Sequence, residues 1–98
     1  MKVMAIGSIS PLTPEQKRQY MPKEVPDTLK LYLDGKIEQF WFRKDAAGVI
    51  FLMNVDSVEQ AEATVDALPL TAAKLMKFDL MLDRPEELTS ALIAIAEA

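Results

Sequence analysis

The sequence predicts one α+β domain with the element order β-α-β-β-α-β. Three observations carry that expectation. The stretch from Glu38 to Leu70 reads as strand, tight turn, strand, capped helix and proline stop. Two capping boxes, Thr13-Pro14-Glu15-Gln16 and Ser57-Val58-Glu59-Gln60, open helices because each cap hydroxyl and the Gln three residues later satisfy two orphan donors of the first turn. The first apolar run, Lys2 to Ile9, is uncharged on both alternating sets after Lys2, the pattern of a strand in the middle of its sheet.

In that first strand Val3, Ala5, Gly7 and Ile9 alternate with Met4, Ile6 and Ser8. Gly7 in its interior either permits close approach of a backbone or ligand or serves packing. Ser10-Pro11-Leu12 ends the strand. Thr13 then caps a helix with Pro14 at its first position. Pro22 and Pro26 each remove a backbone donor and clash with the preceding turn. The expectation is therefore a helix over 14–21, a break near 22–26 and a second piece over 27–34. Leu29, Leu31, Tyr32 and Leu33 supply the apolar side of the second piece, and Asp34-Gly35 stops it.

Lys36 to Lys44 and Val49 to Val55 form a hairpin around the turn Asp45-Ala46-Ala47-Gly48. A four-residue turn sets Phe42 opposite Phe51 and Phe40 opposite Met53. One face is then Phe40, Phe42, Val49, Phe51 and Met53, a core or dimer-packing set. The other is Gln39, Trp41, Arg43, Ile50, Leu52 and Asn54. The helix opened by Ser57 places Val58, Ala61, Val65 and Leu68 at helical spacing and stops at Leu68-Pro69. A fourth strand runs from Ala72 or Lys74 to Leu82, and a last helix covers 85–97, its stripe made by Leu88, Ala91, Leu92 and Ile95. This order is the split-βαβ, ferredoxin-like arrangement, with helices on one face of an antiparallel sheet.

Composition narrows the chemistry. The chain has 98 residues, enough for the single domain 1–98. Half of it is hydrophobic, and a small apolar-rich domain without cross-links often covers its surplus apolar surface with another copy. A homodimer or higher homo-oligomer is expected. The net charge of −4 and scattered cations disfavour nucleic acid as a partner. There is no Cys and no His, which removes thiol nucleophiles, zinc–thiolate sites and Ser–His arrangements. The three glycines are too dispersed for a phosphate loop, and the acids do not form a calcium loop, so no cofactor and no metal are expected. No apolar run approaches the roughly 20 residues of a membrane span, and the N-terminus lacks a signal-peptide pattern. The expected location is cytoplasmic, with no membrane partner.

Gly35, the segment Phe40-Trp41-Phe42-Arg43 followed by Gly48, the segment Asn54-Val55-Asp56-Ser57-Val58-Glu59, and Leu68-Pro69-Leu70 before the last strand resemble the muconolactone isomerase-like family. That family lies within the dimeric α+β barrel superfamily. The motif likeness covers about residues 35–82, and the first half matches in layout. The resemblance implies a sheet-to-sheet dimer, a small-molecule cleft between sheet and helices, and chemistry on lactones, dienes or polyketide-like rings. Looser relatives of the YCII type use a His–Asp pair, which this chain without His cannot form. Isomerisation of an unsaturated lactone needs proton removal and return, and a carboxylate can supply both.

The candidate residues follow. Glu24 lies in the proline-broken part of the first helix; it is either a partly desolvated general acid/base or a solvated Glu beside Lys23. Arg43 is the candidate for stabilising a carboxylate or enolate, with Trp41 beside it on one strand face; that face either clamps a ligand or joins two subunits. Tyr20 and Tyr32 are candidate wall residues or core-edge tyrosines. The leading expectation is a cofactor-independent isomerase acting by proton transfer on an unsaturated lactone or small apolar organic acid. The alternatives are an antibiotic-biosynthesis-type monooxygenase and a non-catalytic ligand-binding or assembly module.

Overall fold

The computed structural model describes residues 1–82 and 92–97. The elements run β1 (Lys2–Ile9), α1 (Pro14–Leu33), β2 (Ile37–Phe42), β3 (Gly48–Asn54), α2 (Val58–Asp66), α3 (Pro69–Ala72) and β4 (Met76–Leu82). A further helix, α4, spans 92–97, and its residues are exposed. The part of the expected last helix over 85–91 lies outside the described residues, as do its Leu88 and Ala91. Among the described residues no helix is long and apolar enough to cross a membrane.

The sheet order is β2-β3-β1-β4, and each neighbouring pair is antiparallel. This is the expected ferredoxin-like arrangement, with β1 central. The register lays Phe40, Phe51, Ala5 and Leu80 in one row and Phe42, Val49, Gly7 and Phe78 in the next. These side chains share the face on which the helices pack. Val3, Ala5, Ile37, Phe51, Met53 and Val55 bury there with Ala61, Val65 and Leu68. The other face carries Trp41, Ile50, Ile6 and Asp79 in one row and Gln39, Leu52, Met4 and Met81 in the next. Met4, Trp41 and Met81 remain exposed.

Both helix starts form as expected. Thr13 accepts from the Gln16 N–H while Gln16 accepts from the Thr13 N–H, and Ser57 accepts from the Gln60 N–H. Four local expectations are corrected. First, α1 is continuous from Pro14 to Leu33 and does not break at 22–26. Pro22 and Pro26 are both exposed, so the carbonyls their rings leave unpaired face water, where a helix tolerates the loss and curves. Second, the hairpin pairs Phe42 with Val49 and Phe40 with Phe51, two residues from the expected register. The loop begins at Arg43, whose N–H donates to the Gly48 carbonyl. Because the shift is even, every side chain keeps its face.

Third, a bulge falls between Ile37 and Gln39. The extra residue turns Ile37 onto the covered face, where it is 1% exposed. Fourth, α2 does end ahead of Pro69 as expected, but Pro69 also opens a further element. It occupies the first turn of the short helix α3, where its fixed φ and missing N–H suit a helix start. Lys74, at φ 61°, then turns the chain into β4. Gly7 serves packing: a Cβ on it would sit 2.7 Å from Phe78 Cε1 and 2.8 Å from Met76 Cε.

Candidate functional site

Residues 21, 24, 25, 28 and 29 recur at spacings of three and four, so they share one stripe of α1. That stripe faces the sheet across an open cavity of about 280 Å³. Met21, Glu24, Val25, Thr28 and Leu29 form its roof. Phe51, Val49, Leu70 and Met76 line its depth, and Phe40 and Phe42 stand at the strand side. Phe42 is 84% exposed and Phe40 37%, so these two aromatics mark the mouth. Of the set expected to pack in a core, a dimer contact or a pocket wall, Phe51 and Met53 bury, and Phe40 and Phe42 line the cavity at its rim.

Of the described side chains lining the cavity, only Glu24 and Thr28 are polar. Glu24 is 7% exposed, and its Oε2 is buried with no hydrogen-bond partner among the described residues. The neighbouring Lys23 does not neutralise it at close range, because its Nζ pairs with Asp27 at 2.5 Å along the exposed side of the helix. Burial raises the Glu24 carboxyl above its ordinary range. The Leu70 backbone N–H at the start of α3 opposes that rise, Asp27 adds to it and Lys23 lessens it. A carboxyl in such a setting holds its proton more readily than a solvated one, as a proton-transfer group needs.

The other candidates lie elsewhere. Trp41 points from the uncovered sheet face, opposite Ile50, and is 45% exposed. Arg43 is committed at the hairpin end. Its Nη1 donates to Ser8 Oγ at 2.8 Å, while Nη2 and Nε donate to the Asp45 carboxylate at 2.7 and 3.0 Å. That pairing raises the Arg43 pKa and lowers the Asp45 pKa. Arg43 and Glu24, expected to act on one ligand, are therefore separated by the sheet within a protomer. The reason is strand alternation: Arg43 follows Phe42, and successive residues point to opposite faces.

Tyr32 stacks edge-on against Phe40, with ring centroids 5.4 Å apart. It buttresses the mouth from outside the set that lines the cavity. Tyr20 is half-buried one turn before Glu24 and does not line the cavity either. Thr28, Met21 and Leu70 were missed as site residues. The first two were open to discovery, since a single acid on an otherwise apolar helical stripe is a signal once α1 is taken as unbroken. Leu70 depends on α3, which the sequence reading replaced by a proline stop.

Two solved structures share this architecture. Muconolactone isomerase superposes with a TM-score of 0.72 at 22% identity, over 86% of this chain and 90% of its own. The 5-chloro-2-hydroxyhydroquinone dehydrochlorinase of Burkholderia phenoliruptrix, solved with 2,5-dihydroxybenzoquinone, gives 0.68 at 16% identity, over 86% of this chain and 94% of its own. The chain has the muconolactone isomerase fold. No protein-family model matches it, and no curated protein does. The expected resemblance thus holds for the fold, while at these identities the reaction is left to the site itself. Among the described residues no cluster of acids is arranged to hold a metal ion.

Proposed function

We propose that the protein binds a small organic molecule in the cavity under α1 and isomerises it by cofactor-independent proton transfer. The observation that carries this reading is the buried Glu24 carboxylate, unpartnered at Oε2, in an otherwise apolar cavity with an aromatic mouth. The substrate class is an unsaturated lactone or a small organic acid. The ionised Glu24 removes a proton from the carbon next to the substrate carbonyl. The electron pair of that C–H bond moves into the conjugated system as a dienolate, and Glu24 returns the same proton to a different carbon. Atoms and charge balance with no oxidant or cofactor. Thr28 is the hydroxyl available to donate to the dienolate oxygen. The apolar wall excludes water, which strengthens both interactions.

The uncovered sheet face is, in this reading, where a second copy packs, in a homodimer working in the cytoplasm. Arg43 and Trp41 then act in assembly and hairpin anchoring. The catalytic assignment is tested by Glu24→Gln, which keeps shape and removes the base. With α-angelica lactone, whose double bond migrates by this proton shift, the substitution should lower kcat by roughly 10²–10⁴-fold. Unchanged turnover in the variant would refute the role of Glu24. Ligand binding without turnover by the unaltered protein would leave a non-catalytic binding module.

A further inference from the structure

The cavity holds an acid and no base of its own. Among the described residues that line it there is no Lys and no Arg. The two cations that sequence spacing brings into consideration are engaged elsewhere. Lys23 is paired with Asp27 with 73% of its side chain exposed, and Arg43 is bound to Asp45 and Ser8 at the hairpin end. Glu24 borders the cavity at 7% exposure, and its buried Oε2 has no donor among the described residues. A buried polar atom without a partner is destabilised, and a ligand O–H or N–H removes that cost. A ligand carboxylate has the opposite effect. It brings a second negative charge into an apolar cavity whose described lining supplies no counter-ion, so that the two repel unless one takes up a proton.

We infer that the ligand of this cavity is a neutral, single-ring molecule offering Glu24 a hydroxyl or an acidic C–H, and that carboxylate-bearing rings are rejected. This rests on the proton-transfer reading for its chemistry and narrows it. Of the two substrate classes named there, the neutral lactone fits and the organic acid does not. The cavity volume of about 280 Å³ is at the small end for ligand pockets, which suits one ring. The same feature makes Glu24 a specificity determinant as well as a base, since its charge decides which rings enter.

The test compares probes that differ in this one group. The dissociation constants of 4-methylphenol and 4-methylbenzoate are measured by NMR titration at neutral pH on the full chain. The neutral probe should bind at least ~10-fold more tightly, and Glu24→Gln should narrow that ratio, leaving only the cost of placing a carboxylate in an apolar cavity. Equal or tighter binding of 4-methylbenzoate, or a ratio unchanged in Glu24→Gln, overturns the inference. Turnover separates it from the functional reading. β-Angelica lactone and muconolactone share the same α,β-unsaturated ring and differ by methyl against carboxymethyl. Both isomerise through the dienolate that α-angelica lactone gives, with Glu24 taking the ring proton at the far end of the conjugated system. If muconolactone is isomerised as well as the neutral lactone, the ligand class proposed here is wrong and the reaction stands. If neither lactone is isomerised while the binding ratio holds, the ligand class stands and the reaction falls.

Discussion

The two faces of the sheet start from the same strand alternation and end in different environments. On the covered face Phe51, Met53 and Ile37 are buried, and the cover is open beside α1, where Glu24 borders the cavity. On the uncovered face Trp41, Met4 and Met81 remain exposed, and Arg43 is tied down at its hairpin end. The difference shows in how acids titrate. Glu24 is held above its ordinary range by loss of water, whereas Asp45 is held below its own range by the Arg43 guanidinium. Burial raises one carboxyl and pairing lowers the other. The proposed division, chemistry on the covered face and assembly on the uncovered one, rests on this contrast.

The largest test of that division is a pair of substitutions, one on each face. Glu24→Gln should abolish most of the proton transfer while leaving the oligomeric state untouched. Ile50→Arg should do the reverse, placing a charge in the middle of the uncovered face and weakening self-association by ~100-fold or more. Sedimentation velocity and the lactone assay read the two outcomes together. Loss of turnover in Ile50→Arg would show that the faces are not independent and that the site needs its partner.

Next in size is the packing of the covered face. Gly7→Ala introduces a Cβ into the space of Phe78 and Met76, and it should cost about 1–3 kcal/mol of stability in urea unfolding. Ser8→Ala, one residue along and on the other face, should change it by less than ~1 kcal/mol. Equal effects would mean that the two faces are equally tight.

The pH dependence sharpens the contrast. A carboxyl raised by folding binds its proton more tightly in the native state. Its contribution is fully present below the ordinary carboxyl range and is lost as pH rises through the raised value. Unfolding midpoints followed upward from pH 4.5, the unperturbed Glu value, should therefore fall more steeply for the natural chain than for Glu24→Gln. Asp45 has the opposite sign: its contribution is present above its unfolded value of 3.8 and is lost as pH falls through the lowered one. The smallest expected effect is that of Arg43→Ala, which should flatten this acid limb and leave the Glu24 limb unchanged. A variant that altered both limbs would couple the hairpin end to the cavity.

The legibility of the molecule follows the range of the interactions. The capping boxes are complete within four residues, and both helix starts formed where those residues stand. The hairpin faces were legible although the register was two residues off, because alternation has a period of two and an even shift preserves it. The bulge that turned Ile37 inward was not legible: nothing local in Lys36-Ile37-Glu38 demands an extra residue, and only the neighbouring strand decides it. The same holds for α1. Pro22 and Pro26 argue for a break when the helix is taken alone. Once it lies on the sheet with those prolines toward water, an unbroken helix brings Glu24 onto the stripe above the cavity.

The sequence by itself determined the order of elements, the faces of each strand and the absence of thiol and imidazole chemistry, since these depend on residue type and short spacing. Only the tertiary structure decided which face the helices cover, and with it that Glu24 would be buried while Arg43 and Trp41 would not share its cavity. That decision rests on packing between elements far apart in the chain. Residues adjacent along a strand are separated by the full thickness of the sheet, while Glu24 and Leu70, distant in sequence, meet across the space beneath α1.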